Sequence, residues 1–329
     1  MTIVQARPFF RPDSEELRYL PEGPRQLQHR LSDHALLAWV AIQHGAADFR
    51  GSINVLDLET LRNTTHPLPG RPGFFAETDQ PGVLVIGMER RLVLYNLLDR
   101  TLTETRFSLP EDARVVINEG LAIPGGLIFG TKHLQFSERL AAAYYLDLAK
   151  GTLSVLLPEE ICSNGKYFST EQGQTLLVEI DSPNKTVDVH HLDLARSAVT
   201  SSRVLSDFRS LRAVPDGMRP VPGGRSAVVA FFDPGPADTG TARQISLTTG
   251  EVQAEWHLPG SPRVTCPEFI WFDNAVHVMF STAVEGMPED LRRNAPEAGS
   301  LFCARTEFTE LPPPPPLLEA AQFVLKPNR

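Results

Sequence analysis

The sequence predicts an all-β fold, a six-bladed β-propeller that forms a single domain over residues 1–329. Three observations lead to this prediction. Long segments with helical periodicity are missing, whereas short runs of Val, Leu, Ile and Phe closed by Gly, Pro, Asp or Asn recur along the whole chain. The chain contains 28 prolines and 23 glycines, which fits many turns. With 42% hydrophobic and 22% charged residues, it is too apolar to be generally disordered.

Six strand-and-turn segments mark the repeat, one for each blade. Each is a short apolar strand that runs into a tight turn, and their reference positions, in chain order, are Asp57, Leu97, Asp147, Asp193, Leu247 and Arg305. Successive positions are 40 to 58 residues apart, a spacing that suits blades of four short strands. The repeat never breaks, which favours one domain over two, with a pair of β-sandwiches as the alternative.

Two segments lie outside the repeat. Residues 1–18 are a lead-in that can complete the closing blade of a propeller. At the other end, residues 311–329 begin with five consecutive prolines at positions 312–316, which predict a stiff polyproline spacer. We expect a last strand to follow this spacer, near residues 320–325.

Composition and charge exclude several function classes. The 31 Lys and Arg residues are outnumbered by 40 Asp and Glu residues, so no basic field is available to attract nucleic acid. No apolar run reaches 18 residues and the first residues lack the order of a signal peptide, so we expect a cytoplasmic protein without a membrane partner. A small-molecule substrate and a monomeric or homodimeric state are expected. Three widely spaced cysteines, Cys162, Cys266 and Cys303, indicate neither a disulfide framework nor a thiolate zinc site.

Four oxygen-bearing side chains occur at nearly the same position of the repeat. Glu22, Asn118, Asn164 and Asp216 precede the reference positions of their blades by 35, 29, 29 and 31 residues, and a glycine follows each within two residues. Because the first strand of every propeller blade lines the central channel, we expect these side chains to converge. Two carboxylates and two amide carbonyls suit a hard divalent cation. Taken singly, Asn-Gly and Asp-Gly are also common turn dipeptides.

Several motifs, in order, resemble those of one family. They are Leu20-Pro21-Glu22-Gly23-Pro24, Asn118-Glu119-Gly120, Ser163-Asn164-Gly165, Val214-Pro215-Asp216-Gly217-Met218, Glu285-Gly286-Met287-Pro288 and the segment 296–302. The chain resembles the gluconolactonase and regucalcin (senescence marker protein) family of six-bladed propellers, which includes luciferin-regenerating enzymes. The resemblance implies that Glu22, Asn164 and Asp216 bind a divalent metal, with Asn118 as a fourth ligand or a substrate contact. Calcium is the expected ion, with zinc and manganese as alternatives.

The same resemblance implies a metal-dependent hydrolase that opens a lactone or a related carboxylic ester. In this interpretation Asp216 binds the metal and acts as general base, while Asn118 orients the substrate. Three alternatives remain open: a phosphotriesterase-like hydrolase, a biosynthetic tailoring enzyme that uses the same metal site, and a non-catalytic propeller that keeps its metal for structure.

Substrate identity is where the sequence departs from the family pattern. Val116 stands where sugar lactonases of the family have an arginine, and Leu134 stands where they have a glutamate. A pocket that contains Val116, Phe129 and Leu134 predicts a substrate less polar than a sugar lactone. Three charged or titratable residues, Lys132, His133 and Glu268, are predicted either to face the channel and contact substrate or to point to solvent.

Overall fold

Six antiparallel sheets surround a central channel in the structure, a computed structural model that describes residues 2–44, 50–171 and 173–324. The inner strands of neighbouring sheets contact each other in sequence order, and the inner strand of the sixth sheet contacts that of the first. The ring is therefore closed. This arrangement confirms the predicted six-bladed β-propeller.

Each blade is numbered in chain order, and its strands are given from the channel outward. The first blade consists of β3 (Leu20–Gln26), β4 (Leu36–Ile42), β5 (Gly51–Asp57) and β6 (Asn63–Leu68). The second consists of β7 (Pro72–Glu77), β8 (Val83–Met88), β9 (Arg91–Asn96) and β10 (Leu102–Ser108). The third consists of β11 (Val115–Ile123), β12 (Gly126–His133), β13 (Ala141–Asp147) and β14 (Thr152–Glu160).

The other three blades follow the same pattern. The fourth consists of β15 (Ser163–Glu171), β16 (Gln174–Asp181), β17 (Thr186–Asp193) and β18 (Ala198–Asp207). The fifth consists of β19 (Val214–Pro220), β20 (Ser226–Phe232), β21 (Thr239–Ser246), β22 (Val252–Pro259) and β1 (Thr2–Gln5). The sixth consists of β23 (Val264–Phe272), β24 (Ala275–Thr282), β25 (Leu301–Arg305) and β2 (Arg7–Phe10).

The reference positions read from the sequence lie at the outer turns. All six fall at the last residue of the third strand of a blade or one residue beyond it. The turns are held by side chains at these strand ends, because Asp57 Oδ1 accepts hydrogen bonds from the backbone of Glu59 (2.9 Å) and Thr60 (3.0 Å). Asp147 and Asp193 accept comparable bonds three residues later. The repeat seen in the sequence is thus a repeat of turn chemistry.

The hydrophobic core is divided among the interfaces between adjacent blades. One cluster of buried side chains lies at each of the six interfaces. A blade therefore buries both faces of its sheet, which explains near-continuous apolar strands such as β4 and β8. Phe129 on β12 belongs to the cluster between the second and third blades, where it stacks on Tyr144.

The N-terminal segment joins the last two blades. β1 runs parallel to β22 as the outermost strand of the fifth blade. β2 pairs antiparallel with β25, so it supplies the outer strand of the sixth blade. Between them, Ala6 is buried in the cluster between these two blades. Residues 2–10 thus form the seam that joins the two ends of the chain.

The expected C-terminal strand is not found in the described part of residues 311–329. Leu318 makes a single parallel bridge to Thr78, and residues Ala320–Gln322 form a 3₁₀ helix instead. The Asp79 carboxylate accepts a hydrogen bond from the Ala320 backbone at 2.9 Å, which fixes this turn. Phe323 then packs edge-on against Phe107 of the second blade. Local capping has replaced the ladder that a strand would need, while position 325 lies outside the described residues.

Helices contribute little to the fold. The part of the chain that the structure describes holds two α-helices, α1 (Glu15–Tyr19) and α2 (Glu289–Asn294), and a further 3₁₀ helix over Ser182–Asn184. Within the described ranges, no helix has the length and apolar character needed to cross a membrane. The three cysteines are free thiols, as the sequence predicts.

We predict that the seam is stabilised by two half-buried aromatic rings of β2, Phe9 and Phe10, which pack between the sixth and first blades. A Phe9→Ala/Phe10→Ala variant should lose about 2–4 kcal/mol of unfolding free energy, since burying such a ring fully contributes about 1.5–3 kcal/mol. Denaturant unfolding measures this loss. Leu98→Ala is the control, because Leu98 is 68% exposed and should change stability by less than about 0.5 kcal/mol. Equal stability of the double variant and the wild type would contradict the prediction.

Candidate functional site

The four oxygen-bearing residues selected from the sequence lie on four inner strands, at the positions where strand pairing is irregular. The register between first and second strand shifts next to each of them: after Glu22 on β3, around Asn118 on β11, after Asn164 on β15 and around Asp216 on β19. Such a bulge bends the strand and re-aims a side chain. The local irregularity of the inner strands is thus what directs these groups.

The structure brings all four together. Glu22, Asn118 and Asn164 line one pocket in the channel, which has an empty volume of about 330 Å³. Asp216 joins them through a hydrogen bond that the Asn164 amide donates to its carboxylate. The pocket is also lined by Phe74, Phe75, Gly23, Gly73, Gly120, Arg25, Glu119, Arg219 and Cys266.

Two glycines allow the inner strands to come this close. A Cβ atom on Gly165 would lie 2.7 Å from the carbonyl oxygen of Asp216 on the next blade. A Cβ atom on Gly217 would lie 2.7 Å from the carbonyl oxygen of Thr265 on the blade after that. Both distances are below van der Waals contact, so any side chain would push the strands apart. The glycines that follow Asn164 and Asp216 are therefore required by packing around the channel.

The two carboxylates of the site are electrostatically unfavourable to one another. Burial, followed by the charge of Asp216, raises the pKa of Glu22 well above its usual range. Burial, followed by the charge of Glu119, likewise raises the pKa of Asp216. Within the described ranges the Glu22 carboxylate accepts no hydrogen bond. Two acids placed in this way need either a proton or a cation nearby.

The two amides are oriented by neighbouring groups. The Asn118 amide nitrogen donates to the carbonyl oxygen of Ser163 at 3.1 Å, and it contacts Cys162 Sγ at 3.7 Å. This leaves its carbonyl oxygen available to the pocket. The Asn164 amide nitrogen contacts Ser182 Oγ at 3.2 Å and Cys162 Sγ at 3.9 Å, besides its bond to Asp216. Rotation of the Asn164 amide by about 180° would exchange the positions of its nitrogen and oxygen. The oxygen would then lie on the side of Asp216, where both groups could bind one cation.

These donors fit an oxygen-preferring cation. Two carboxylates without basic partners and two amide groups form the donor set that Ca²⁺ takes in proteins. The described residues contain no group of three or more His, Cys, Asp or Glu side chains that could hold a metal ion. A site rich in thiolate or imidazole is therefore not formed in that part of the chain, and the amides are needed to complete any ligand set.

A layer of paired charges crosses the channel beside the pocket. Arg219 Nη1 lies 3.0 Å from Glu119 Oε1, and Arg219 Nε lies 3.3 Å from Glu268 Oε2. Arg25 Nη1 lies 3.6 Å from the same Glu268 oxygen. These four residues come from the inner strands of four blades, and each side chain is less than 15% exposed. Burial, followed by the charge of Arg219, lowers the pKa of Arg25 to about 10, so it stays protonated at neutral pH.

The ion pairs of this layer show where the Glu268 side chain lies. The sequence allowed it to face either the channel or the solvent. Its carboxylate faces the channel and is shared by Arg25 and Arg219, while its second oxygen accepts the Phe269 backbone N–H at 2.9 Å. Every oxygen is thus occupied by protein. Whether Glu268 takes part in chemistry remains a prediction, but its present contacts are those of a structural ion pair.

The other predicted substrate contacts lie away from the pocket lining. Phe129 is a core side chain between two blades, so the expectation that it lines the pocket is not met. Val116 is buried on β11 and Leu134 is partly exposed just after β12, and neither lines the pocket. The buried His133 accepts hydrogen bonds from the backbone of Ser137 and Glu138, so its ring holds the following turn.

Sequence reasoning missed the two arginines, Arg25 and Arg219, that line the pocket. Each follows a candidate metal ligand by three residues: Arg25 comes after Glu22, and Arg219 comes after Asp216. The sequence therefore contains a signal for both arginines, namely an arginine three residues after a candidate ligand in an inner strand. Its meaning depends on Glu119 and Glu268, which are distant in sequence.

Comparison with known proteins places the chain among similar propellers. A family model described as "SMP-30/Gluconolactonase/LRE-like region" matches residues 20–282. A relative from Bacillus subtilis (strain 168), "Putative sugar lactone lactonase YvrE", is 25% identical over 233 residues, which cover 70% of this chain and 76% of that protein.

Two solved structures share the architecture. Regucalcin from Agrobacterium tumefaciens str. C58, described as a calcium-binding protein, has a TM-score of 0.77 and 20% identity, and the match covers 95% of this chain and 98% of that one. A luciferin-regenerating enzyme has a TM-score of 0.75 and 17% identity, with 92% and 96% covered. At such low identities the likeness establishes the fold alone.

We predict that Glu268 contributes to stability. Glu268→Gln would leave the buried guanidinium groups of Arg25 and Arg219 without their shared counter-charge, so the free energy of unfolding should fall by about 3 kcal/mol. Chemical denaturation measures this change. The matched control is Glu104→Gln, because Glu104 pairs with Arg91 at 3.1 Å but is 60% exposed, and its loss should cost less than about 1 kcal/mol. Similar losses for the two variants would show that the channel layer adds no stability of its own.

Proposed function

The chain belongs to the SMP-30/gluconolactonase/LRE-like family, and we propose that it is a divalent-metal-dependent hydrolase that opens a lactone or a related carboxylic ester. One observation carries the proposal: the partly buried carboxylate of Glu22 and the buried carboxylate of Asp216, each with a raised pKa, converge with two amides in the channel. The lactonase name of the Bacillus relative supports the same reaction class.

Glu22, Asn164, Asp216 and Asn118 would hold the cation. All four offer oxygen, so Ca²⁺ is the first choice, and Zn²⁺ and Mn²⁺ are the alternatives. When bound, such an ion supplies Lewis-acid polarisation of a carbonyl oxygen and a lower pKa for water. The ion would also offset the mutual repulsion of Glu22 and Asp216. Among the described residues, neither carboxylate forms an ion pair with a basic side chain.

The residues of the chain would supply binding and proton transfer. Asp216 is the candidate general base, because its buried carboxylate would lie among the groups that hold the ion and its water. The Asn164 amide fixes the orientation of this carboxylate. Asn118, whose amide nitrogen is tied to Ser163, would direct its carbonyl oxygen at the cation or at a substrate hydroxyl.

Substrate, location and assembly complete the proposal. The substrate is proposed to carry fewer hydroxyls than a sugar lactone because Val116 and Leu134, although neither lines the pocket, stand where the family's sugar lactonases have an arginine and a glutamate. Phe129 no longer contributes to this argument because it lies in the core. The acidic composition supports a small-molecule substrate rather than nucleic acid. We further propose that the protein acts in the cytoplasm, without a membrane partner, as a monomer or a homodimer.

The test measures lactone opening by protein loaded in turn with Ca²⁺, Zn²⁺ or Mn²⁺, with a panel of γ- and δ-lactones and aryl esters. We predict that metal-loaded wild type opens at least one lactone and that Asp216→Asn lowers kcat at least about 100-fold, which is the lower limit for losing a general base. Asp193→Asn is the matched control, because Asp193 caps an outer turn of the fourth blade and should leave kcat unchanged.

Two outcomes would contradict this function. If no lactone or ester in the panel is opened with any of the three ions, and a fluorophosphate is hydrolysed instead, the site acts on phosphotriesters. If no substrate is turned over and Asp216→Asn only lowers the melting temperature, the metal site is structural.

A further inference from the structure

Lys132 is a buried cation without a partner. The residue lies on β12 and is only 4% exposed. Its ammonium makes no hydrogen bond or ion pair with any described residue, and its recorded contact is with the Phe136 ring, whose centroid lies 6.0 Å from Nζ. An isolated buried charge is costly unless an opposite charge or hydrogen-bond acceptors surround it. The position of Lys132 therefore suggests that its counter-charge comes from outside the chain.

A second buried lysine nearby shows the usual arrangement. Lys166 is 1% exposed, and its Nζ donates to Ser163 Oγ at 2.9 Å and to the Asn164 carbonyl oxygen at 2.6 Å. It also lies 3.3 Å from Glu179 Oε1. The Lys166 ammonium thus has hydrogen-bond partners and a counter-charge within the fourth blade, whereas the Lys132 ammonium has neither among the described residues of the third blade.

Backbone pairing places Lys132 beside the two segments that carry Asn118 and Asn164. In the third blade it pairs with Val116, two residues before Asn118. Paired residues of antiparallel strands point to the same face of the sheet, so Lys132 and Val116 share a face. Lys132 also forms an isolated antiparallel bridge with Cys162, whose sulfur contacts the amides of Asn118 and Asn164.

The charge of Lys132 acts on the site itself. Although burial raises the pKa values of Glu22 and Asp216, the positive charge of Lys132 counteracts part of that rise in both. Burial first, and then Lys132, lower the pKa of His44 on the first blade to about 3. The ammonium therefore stands within electrostatic reach of the carboxylates while contacting neither.

The other charged groups around this rim are already engaged. Arg71 binds Glu89 through Nη2 at 2.7 Å, with further bonds from Nε. Glu285 lies 3.4 Å from His44 Nε2, an imidazole that its lowered pKa keeps neutral, and the carboxylate also interacts electrostatically with Arg263. None of these groups forms an ion pair with Lys132. If Glu22 and Asp216 bind a divalent cation, their charges are balanced by it, and Lys132 remains the unbalanced charge of the rim.

We propose that Lys132 is a specificity-determining residue that pairs with a carboxylate carried by the substrate, so the preferred lactone bears an acidic side group. The inference rests on the proposed function, which it narrows to one substrate class. It agrees with Val116 and Leu134, which provide no contact for hydroxyls. A substrate poor in hydroxyls but carrying one carboxylate satisfies both features.

The first experiment measures binding and needs no turnover. Calcium-loaded protein is titrated calorimetrically with two lactams that resist hydrolysis, 6-oxopiperidine-2-carboxylate and neutral 2-piperidone. Wild type should bind the acid at least about 10-fold more tightly than the neutral lactam. Lys132→Met should abolish this difference, and Lys132→Arg should keep most of it. Lys150→Met is the matched control, because Lys150 is an exposed lysine of the same blade paired with Asp147, and it should keep the preference.

The second experiment compares two lactones, δ-valerolactone and its 6-carboxylate derivative. In wild type the ratio of kcat/KM should favour the acid, and Lys132→Met should reduce that ratio at least about 10-fold, chiefly through KM for the acid. Circular dichroism of each variant confirms folding. Equal binding of the two lactams by wild type, or an unchanged preference in Lys132→Met, overturns the proposal.

The two proposals fail in different ways. If the acidic lactam binds through Lys132 but no lactone is opened, the anion site stands and the hydrolase does not. If lactones are opened without preference for the acid, and the lactams bind equally, the hydrolase stands and the role of Lys132 is wrong.

Discussion

Two acids held in the same buried pocket repel each other, and this repulsion is the constraint on which the site depends. Glu22 and Asp216 come from different blades, and only a closed ring of inner strands brings them together. The two acids stay close despite their repulsion because six interfaces of packed side chains surround the channel and hold the inner strands in place. A cation that neutralises the acids would therefore stabilise the fold at the same point where it does chemistry.

The charges of the channel are arranged in two groups that behave differently. Arg25, Arg219, Glu119 and Glu268 balance one another two against two, so the layer beside the pocket is neutral as a whole. The candidate metal ligands are not balanced by direct partners. This contrast separates charges that fix the architecture from charges left for a ligand, and it also singles out Lys132 as a cation that belongs to the second group.

The sequence predicted features that depend on repetition. Turn residues such as Asp57 recur at the ends of third strands, so their spacing revealed the blades. The phase of Glu22 and Asn164 within the blades predicted that they meet in the channel. It did not predict features that depend on which face a side chain occupies. Phe129 was assigned to the pocket but lies in the interface between the second and third blades, because the sequence does not show which face of β12 turns toward that interface. The segment after the prolines was predicted to be a strand. It forms a 3₁₀ helix instead, because the Ala320 backbone N–H donates a hydrogen bond to the Asp79 carboxylate, which is distant in sequence.

The seam between the two ends of the chain also governs how the protein can be made. Arg7 of β2 pairs with Cys303 of β25, so this contact joins residues almost 300 positions apart. During synthesis the N-terminal strands emerge first, but β1 has no partner until the fifth blade is made and β2 has none until the sixth is made. Until then the first blade and the fifth remain open at their edges, and the pocket cannot assemble its full ring of inner strands. Closure is consequently a late, high-contact-order step, and the ring around the binding site is completed only after the sixth blade has been synthesised.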